Sequence, residues 1–203
     1  MNVSESIIEK VSGKAIPKPA NDQNTDDITP ARFMKEITFA NMGKYVYFDE
    51  RVKDGKEIIE HPFNDPKYKG ASILVAGANY GCGSSREHAP QALYRFGIRA
   101  IIAESFAEIF AGNCASLGIV GVTVSAQGVV VLANEIKNKP ENIIEIDLKT
   151  KKIKYNNEEM SCELPEGRRQ SFLKGTWDAL TILKNNETGI KSVEEKLEYL
   201  KFK

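Results

Sequence analysis

Between Ser72 and Val124 the chain alternates between short apolar runs and helical periodicity. Ser72-Ile73-Leu74-Val75-Ala76 is an apolar run bounded by glycine, and a helical pattern follows through Leu93 and Phe96 to Gly97, which closes it. Arg99-Ala100-Ile101-Ile102-Ala103 repeats the strand signal. Ser105 to Leu117 then reads as a helix capped by Ser105 and Gly118, and Val120 to Val124 as a third strand. Strands separated by helical crossovers run parallel. The segment therefore predicts an α/β fold, layered, with a largely parallel central sheet.

The flanking regions are less regular. Pro17, Pro19, Asn21, Asp22, Asn24, Asp26, Asp27 and Pro30 predict an exposed, turn-rich loop. A short helix is expected over Ala31 to Ala40, and a long connection over Asp49 to Gly70. Ile143 to Leu148, turned by Lys149-Thr150-Lys151 into Lys152 to Tyr155, suggests a hairpin at the margin of the sheet. A helix from Arg169 should stop at Gly175, and Trp177, Leu180, Ile182 and Leu183 supply an apolar face for the next. Val193, Leu197 and Leu200 predict an amphipathic helix over Lys191 to Lys203. With 203 residues, 41% of them apolar, residues 1–203 are expected to form a single domain with a C-terminal helical extension.

Composition excludes several classes. Lys plus Arg and Asp plus Glu are 28 each, so no net field favours nucleic acid or an anionic membrane. The apolar runs fall far short of the roughly 20 residues that span a bilayer. Met1 to Lys18 lacks the apolar core of a signal peptide, which makes a cytoplasmic location the default. Three widely spaced cysteines, Cys82, Cys114 and Cys162, form neither a disulfide framework nor a metal knot and read as reduced thiols.

Chemistry concentrates in Gly77-Ala78-Asn79-Tyr80-Gly81-Cys82-Gly83-Ser84-Ser85-Arg86-Glu87-His88-Ala89-Pro90, between the first strand and its helix. Ligands of open α/β sheets bind at that end of the strands. The glycines allow a sharp bend and close approach, and Ser84 and Ser85 lie where unpaired backbone N–H groups gather. An anion fits such a turn, and Arg86 adds a planar fork suited to a carboxylate. Pro90 allows the regular helix to start as late as Ala89 or Pro90, with the Ser-Ser-Arg triplet either in its first turn or in a pre-helical turn, and either arrangement collects backbone N–H groups around the Ser84 hydroxyl. A dinucleotide fingerprint would need glycine at Arg86, and a P-loop would need Gly-Lys-Ser/Thr. A hydrolase pairing Ser84 with His61 or His88 lacks the Gly-x-Ser-x-Gly elbow, and no zinc-ligand spacing is present.

Gly81-Cys82-Gly83-Ser84-Ser85-Arg86-Glu87-His88-Ala89-Pro90, the run Gly97 to Phe110 and Asn113-Cys114 resemble the swivelling domain of the aconitase superfamily. Upstream, Asn24-Thr25-Asp26-Asp27-Ile28-Thr29-Pro30-Ala31-Arg32-Phe33 resembles its second signature, in the same order. The resemblance implies a hydro-lyase that moves a hydroxyl between adjacent carbons by removing water and adding it back. It also implies a four-iron, four-sulfur cluster held by a separate large subunit, because this chain lacks the cysteine pattern. Within the superfamily the likeness is to small subunits that isomerise 2-isopropylmalate to 3-isopropylmalate in leucine biosynthesis. The substrate would be a small branched dicarboxylate. Alternatives are a related dehydratase acting on homoaconitate, citraconate or methylmalate, or a non-catalytic carboxylate-binding module.

Carried across residue by residue, the resemblance makes Ser84 the base that removes the carbon-bound proton and puts Asp26 in the network around the departing water. Ser85 and Arg86 would hold a substrate carboxylate, with Thr25 and Thr29 on the loop that faces them. Arg32, Phe33, Met34 and Lys35 fall where related small subunits read the substrate's side chain. No cofactor or metal site is implied in this chain itself. Plainer readings stand beside these. Ser84-Ser85 alone would be a helix cap, Asp27 a turn residue, Arg32 an ordinary surface arginine, His88 a structural histidine, and Cys114 and Cys162 core filler.

Overall fold

The computed structural model describes residues 6–84 and 86–200. Strands β1 (Lys10–Gly13) and β2 (Ala15–Lys18) lead into a single helical turn, α1 (Thr25–Ile28). Two 3-10 segments, Ala31–Lys35 and Phe39–Tyr45, precede α2 (Phe48–Arg51) and the small hairpin β3 (Val52–Lys53) and β4 (Lys56–Glu57). The regular centre is β5 (Ile73–Ala76), α3 (His88–Phe96), β6 (Ala100–Ala103), α4 (Glu108–Ser116), β7 (Val120–Thr123) and α5 (Ala126–Asn138). Beyond it come β8 (Ile144–Asp147), β9 (Lys152–Tyr155), β10 (Glu158–Ser161), α6 (Glu166–Lys174), α7 (Ala179–Asn185) and α8 (Glu187–Glu194).

One sheet has the order β2-β5-β6-β7, and each of its pairs is parallel. Every residue of β5 and β6 is fully buried, as the unbroken apolar runs require of strands covered on both faces. The other four-stranded sheet is antiparallel, in the order β1-β8-β9-β10. The α/β class and parallel centre are as expected. The β8–β9 hairpin, however, forms the middle of this second sheet and does not fringe the first. Asp147 shapes its turn by accepting from the backbone N–H groups of Lys149 (2.9 Å) and Thr150 (3.0 Å).

Four local expectations are corrected. Pro17 lies in β2, paired with Val75, and its missing N–H is tolerated because β2 is an edge strand. The helix expected over Ala31 to Ala40 is two 3-10 segments, separated where Glu36 and Thr38 turn extended and the β-branched pair Ile37-Thr38 follows. Ser105 does not cap α4, which starts at Glu108 behind Ala107, because the Ser105 hydroxyl accepts from the Asn79 N–H at 2.8 Å. The expected C-terminal helix is α8 followed by a 3-10 turn at Glu198–Leu200, and residues 201–203 lie outside the described residues. Of the apolar face expected there, Trp177 packs against the core, whereas Leu180, Leu183 and Val193 are exposed.

The connection from Asp49 to Gly70 is tethered. Buried Arg51 donates to the carbonyls of Val46 and Lys44 (2.5 Å each) and to Asn64 Oδ1 (2.9 Å). Helix α5 was not anticipated. Ser125 caps it by accepting from the Gly128 N–H at 3.1 Å, and Val129, Leu132, Ala133 and Ile136 form its buried stripe.

Candidate active site

The segment after β5 passes between two neighbours at the carboxyl ends of the parallel strands. On one side Tyr80 donates to the Ser105 carbonyl (3.0 Å) and accepts from the Ala107 N–H (3.0 Å). On the other, Gly81 donates to the Gln23 carbonyl (2.8 Å) and Cys82 accepts from the Thr25 N–H (2.9 Å). Gly81 has φ +77°, and a Cβ there would fall 2.1 Å from the Phe110 ring, so glycine is required twice over. This short ladder ends at Ser84, which is exposed.

The α1 turn faces it. Asn24 Oδ1 accepts from the N–H groups of Asp26 (2.8 Å) and Asp27 (2.9 Å), and Asp27 returns a bond to the Asn24 N–H (2.9 Å). This capping box spends Asp27 on structure and leaves the Asp26 carboxylate exposed. Thr25 Oγ1 donates to the Ser84 carbonyl at 2.7 Å, joining the two motifs across 59 residues of chain.

Arg86 links the rest. Its Nε donates to Ser84 Oγ at 3.2 Å, and its Nη1 lies 3.4 Å from Asp26 Oδ1 and 3.0 Å from Met34 Sδ. Among the described residues the donor at the serine oxygen is therefore a guanidinium, where the turn suggested backbone N–H groups. Ser85 lies outside the described residues. Thr29 is buried, and its hydroxyl has no hydrogen-bond partner among the described residues.

The other residues expected to read the substrate are engaged with different partners. Arg32 pairs with Asp49 (Nη1 to Oδ2, 2.8 Å) and lies over the Phe33 ring, which stacks on Tyr45 at 3.9 Å. The guanidinium holds the Asp49 carboxyl below its usual range. Lys35 is exposed and, with Arg32 and Phe33, lines a shallow cavity of about 320 Å³. His88 meets Phe39 edge-on at 5.2 Å.

Beneath the site lies a buried group that the sequence did not announce. Tyr47 donates to Gln23 Oε1 at 2.7 Å, and its oxygen is 2.9 Å from that of Tyr80. Burial pushes both phenols far up. It does the same to the thiols, raising Cys82 and Cys114 and bringing Cys162 to about 11. Among the described residues no group of three or more His, Cys, Asp or Glu is placed to hold a metal ion, so the side chains present do not fit an iron–sulfur cluster.

Residues 5–127 match the model of the aconitase C-terminal domain, and the chain belongs to that family. It is 40% identical over 189 residues to the 3-isopropylmalate dehydratase small subunit of Thermus thermophilus, covering 93% of this chain and 94% of that one. It is 41% identical over 195 residues to the protein of the same name from Synechocystis sp., covering 96% of each. A crystal structure described as 3-isopropylmalate dehydratase from Methanocaldococcus jannaschii superposes with a TM-score of 0.66 at 28% identity, over 91% of this chain and 99% of that one.

Proposed function

We propose that this chain is the small subunit of a cytoplasmic two-subunit hydro-lyase that isomerises 2-isopropylmalate to 3-isopropylmalate in leucine biosynthesis. The observation that carries the reading is the contact of Arg86 Nε with Ser84 Oγ at 3.2 Å, on a loop of this family. A serine hydroxyl is a poor base in water, and a guanidinium against its oxygen favours the charged form. As an oxyanion, Ser84 takes the carbon-bound proton, and the C–H electron pair becomes the new double bond as hydroxide leaves the adjacent carbon. In the return step hydroxide adds to the carbon that lost its proton, and the protonated serine gives its proton to the carbon that lost the hydroxyl.

Arg86 also receives a substrate carboxylate. Its contact with Asp26 is long and exposed, and such pairs contribute at most about 1 kcal/mol. A carboxylate that accepts two N–H bonds displaces it. The freed Asp26 then belongs to the hydrogen-bond network around the departing hydroxyl, while Met34, beside the guanidinium, offers apolar surface to the isopropyl group. Thr25 acts on the serine loop through the Ser84 carbonyl.

Ser84 and Asp26 are both open to solvent, where an alkoxide is too weakly stabilised to persist. A large subunit that covers this face excludes water and strengthens each charge interaction. The four-iron, four-sulfur cluster of this family's chemistry belongs to that partner.

The test is anaerobic mixing of this chain with its large subunit, following alkene absorbance. Turnover of isopropylmalate should require both chains, and Ser84→Ala should lower kcat by about 100- to 10,000-fold. Turnover of homoaconitate or citraconate in its place keeps the mechanism and changes the pathway. Unchanged kcat in Ser84→Ala removes the serine base, and no turnover in a formed, cluster-loaded complex leaves a carboxylate-binding module.

A further inference from the structure

Tyr47 has φ +48°, a left-handed backbone that is a genuine outlier for a bulky side chain. Such strain persists only where the surroundings over-determine it. Here they do. The Tyr47 N–H donates to the Ile28 carbonyl at 2.8 Å, and its hydroxyl donates to Gln23 Oε1 at 2.7 Å. Ile28 is the last residue of α1, and Gln23 lies just before the Asn24 cap. One residue thus grips both ends of the turn that carries Thr25 and Asp26.

The same hydroxyl reaches the serine loop. Because its proton goes to Gln23, the bond at 2.9 Å to Tyr80 takes its proton from Tyr80. Tyr80 begins the Tyr80–Ser84 turn. Gln23 closes the circuit, since its amide donates to the carbonyls of Lys18 (3.0 Å) and Ala20 (2.8 Å) and its own carbonyl accepts from the Gly81 N–H. Both phenols are fully buried, and the Tyr47 ring is fixed by Phe63 at 4.9 Å and by the Lys18 ammonium at 4.5 Å.

We infer that Tyr47 is a positioning residue for this reaction: through Gln23 and Tyr80 it sets the distance between the Ser84 loop and the Thr25–Asp26 turn. The inference rests on the reading of Ser84 as the base. Without the hydroxyl, Gln23 Oε1 and the Tyr80 proton each lose a partner in the buried core, and the two loops are free to settle apart.

The experiment is Tyr47→Phe in the full two-chain enzyme, with Tyr80→Phe and Ser84→Ala beside it. Tyr47→Phe keeps the ring and removes one oxygen. It should lower kcat per assembled complex by roughly 10- to 100-fold, as small misplacements do, with KM for isopropylmalate within about twofold of wild type. A tyrosine that served stability alone would reduce the yield of complex and leave kcat per complex untouched. A wild-type kcat in Tyr47→Phe, or a loss confined to KM, beside an inactive Ser84→Ala overturns the positioning role and leaves the serine reading intact. If Tyr47→Phe fails to fold, Tyr80→Phe decides by the same criterion. Retained turnover in Ser84→Ala sinks the serine reading and this inference together.

Discussion

Arg86 serves Ser84 with one nitrogen and faces Asp26 and Met34 with another, so geometry as well as charge is built into a single side chain. Lysine would keep the charge and lose the fork. Arg86→Lys should therefore raise KM for isopropylmalate by roughly tenfold and also lower kcat, because the donor to the serine oxygen goes with the fork. Steady-state kinetics on the assembled enzyme separate the two losses. A change in KM with kcat intact would mean that Nε does nothing for Ser84 in turnover. The sequence singles out this arginine and serine only through the long motif around them, since Ser84-Ser85 alone reads as a helix cap. The left-handed backbone of Tyr47 was not legible, since no residue type marks it.

The antiparallel sheet turns on Asp147, whose carboxyl is held low by the backbone N–H of Thr150 first, with Lys10 and the N–H of Lys149 adding to it. A depressed pKa gives stability that is fully present above the unfolded value of about 3.9 and is lost as pH falls through the folded one. Asp147→Asn should therefore narrow the difference between urea midpoints measured at about pH 6 and about pH 3. An unchanged difference would place the acid sensitivity elsewhere. Elements were legible in proportion to how much of their signal was local. Strands β5 and β6 declare themselves as continuous apolar runs. Strand β1, Lys-Val-Ser-Gly, carries no pattern and exists because β8 pairs with it. Helix α5 does have the right period, but Gly128 near its start masks it. The α4 cap was misplaced because Ser105 could cap a helix or serve a neighbouring loop, and the sequence cannot rank a partner 26 residues away.

Over the whole molecule the two ends of the parallel sheet do different work. The carboxyl ends carry the Ser84 loop, while at the amino end of β7 the Trp177 ring covers Gly118, where a Cβ would lie 2.7 Å from the indole. Its N–H donates to the Ser6 carbonyl at 2.5 Å, so this one side chain fastens the beginning of the described chain to its C-terminal part. Trp177→Ala should cost about 2 kcal/mol, a fall of roughly 4–8 °C in Tm, with KM of the assembled enzyme unchanged. Calorimetry and kinetics on one preparation check both halves. A raised KM would show that the two ends are mechanically coupled.

The bond from Thr25 to the Ser84 carbonyl has a consequence for biogenesis. It spans 59 positions, and the ladder beside it also needs the segment around Ser105. Closing loops of that length comes late in folding. No fragment released early from the ribosome can display the serine, the arginine and the aspartate together. A partner that recognises this face accordingly selects chains in which the segments between Thr25 and Ala107 have already come together.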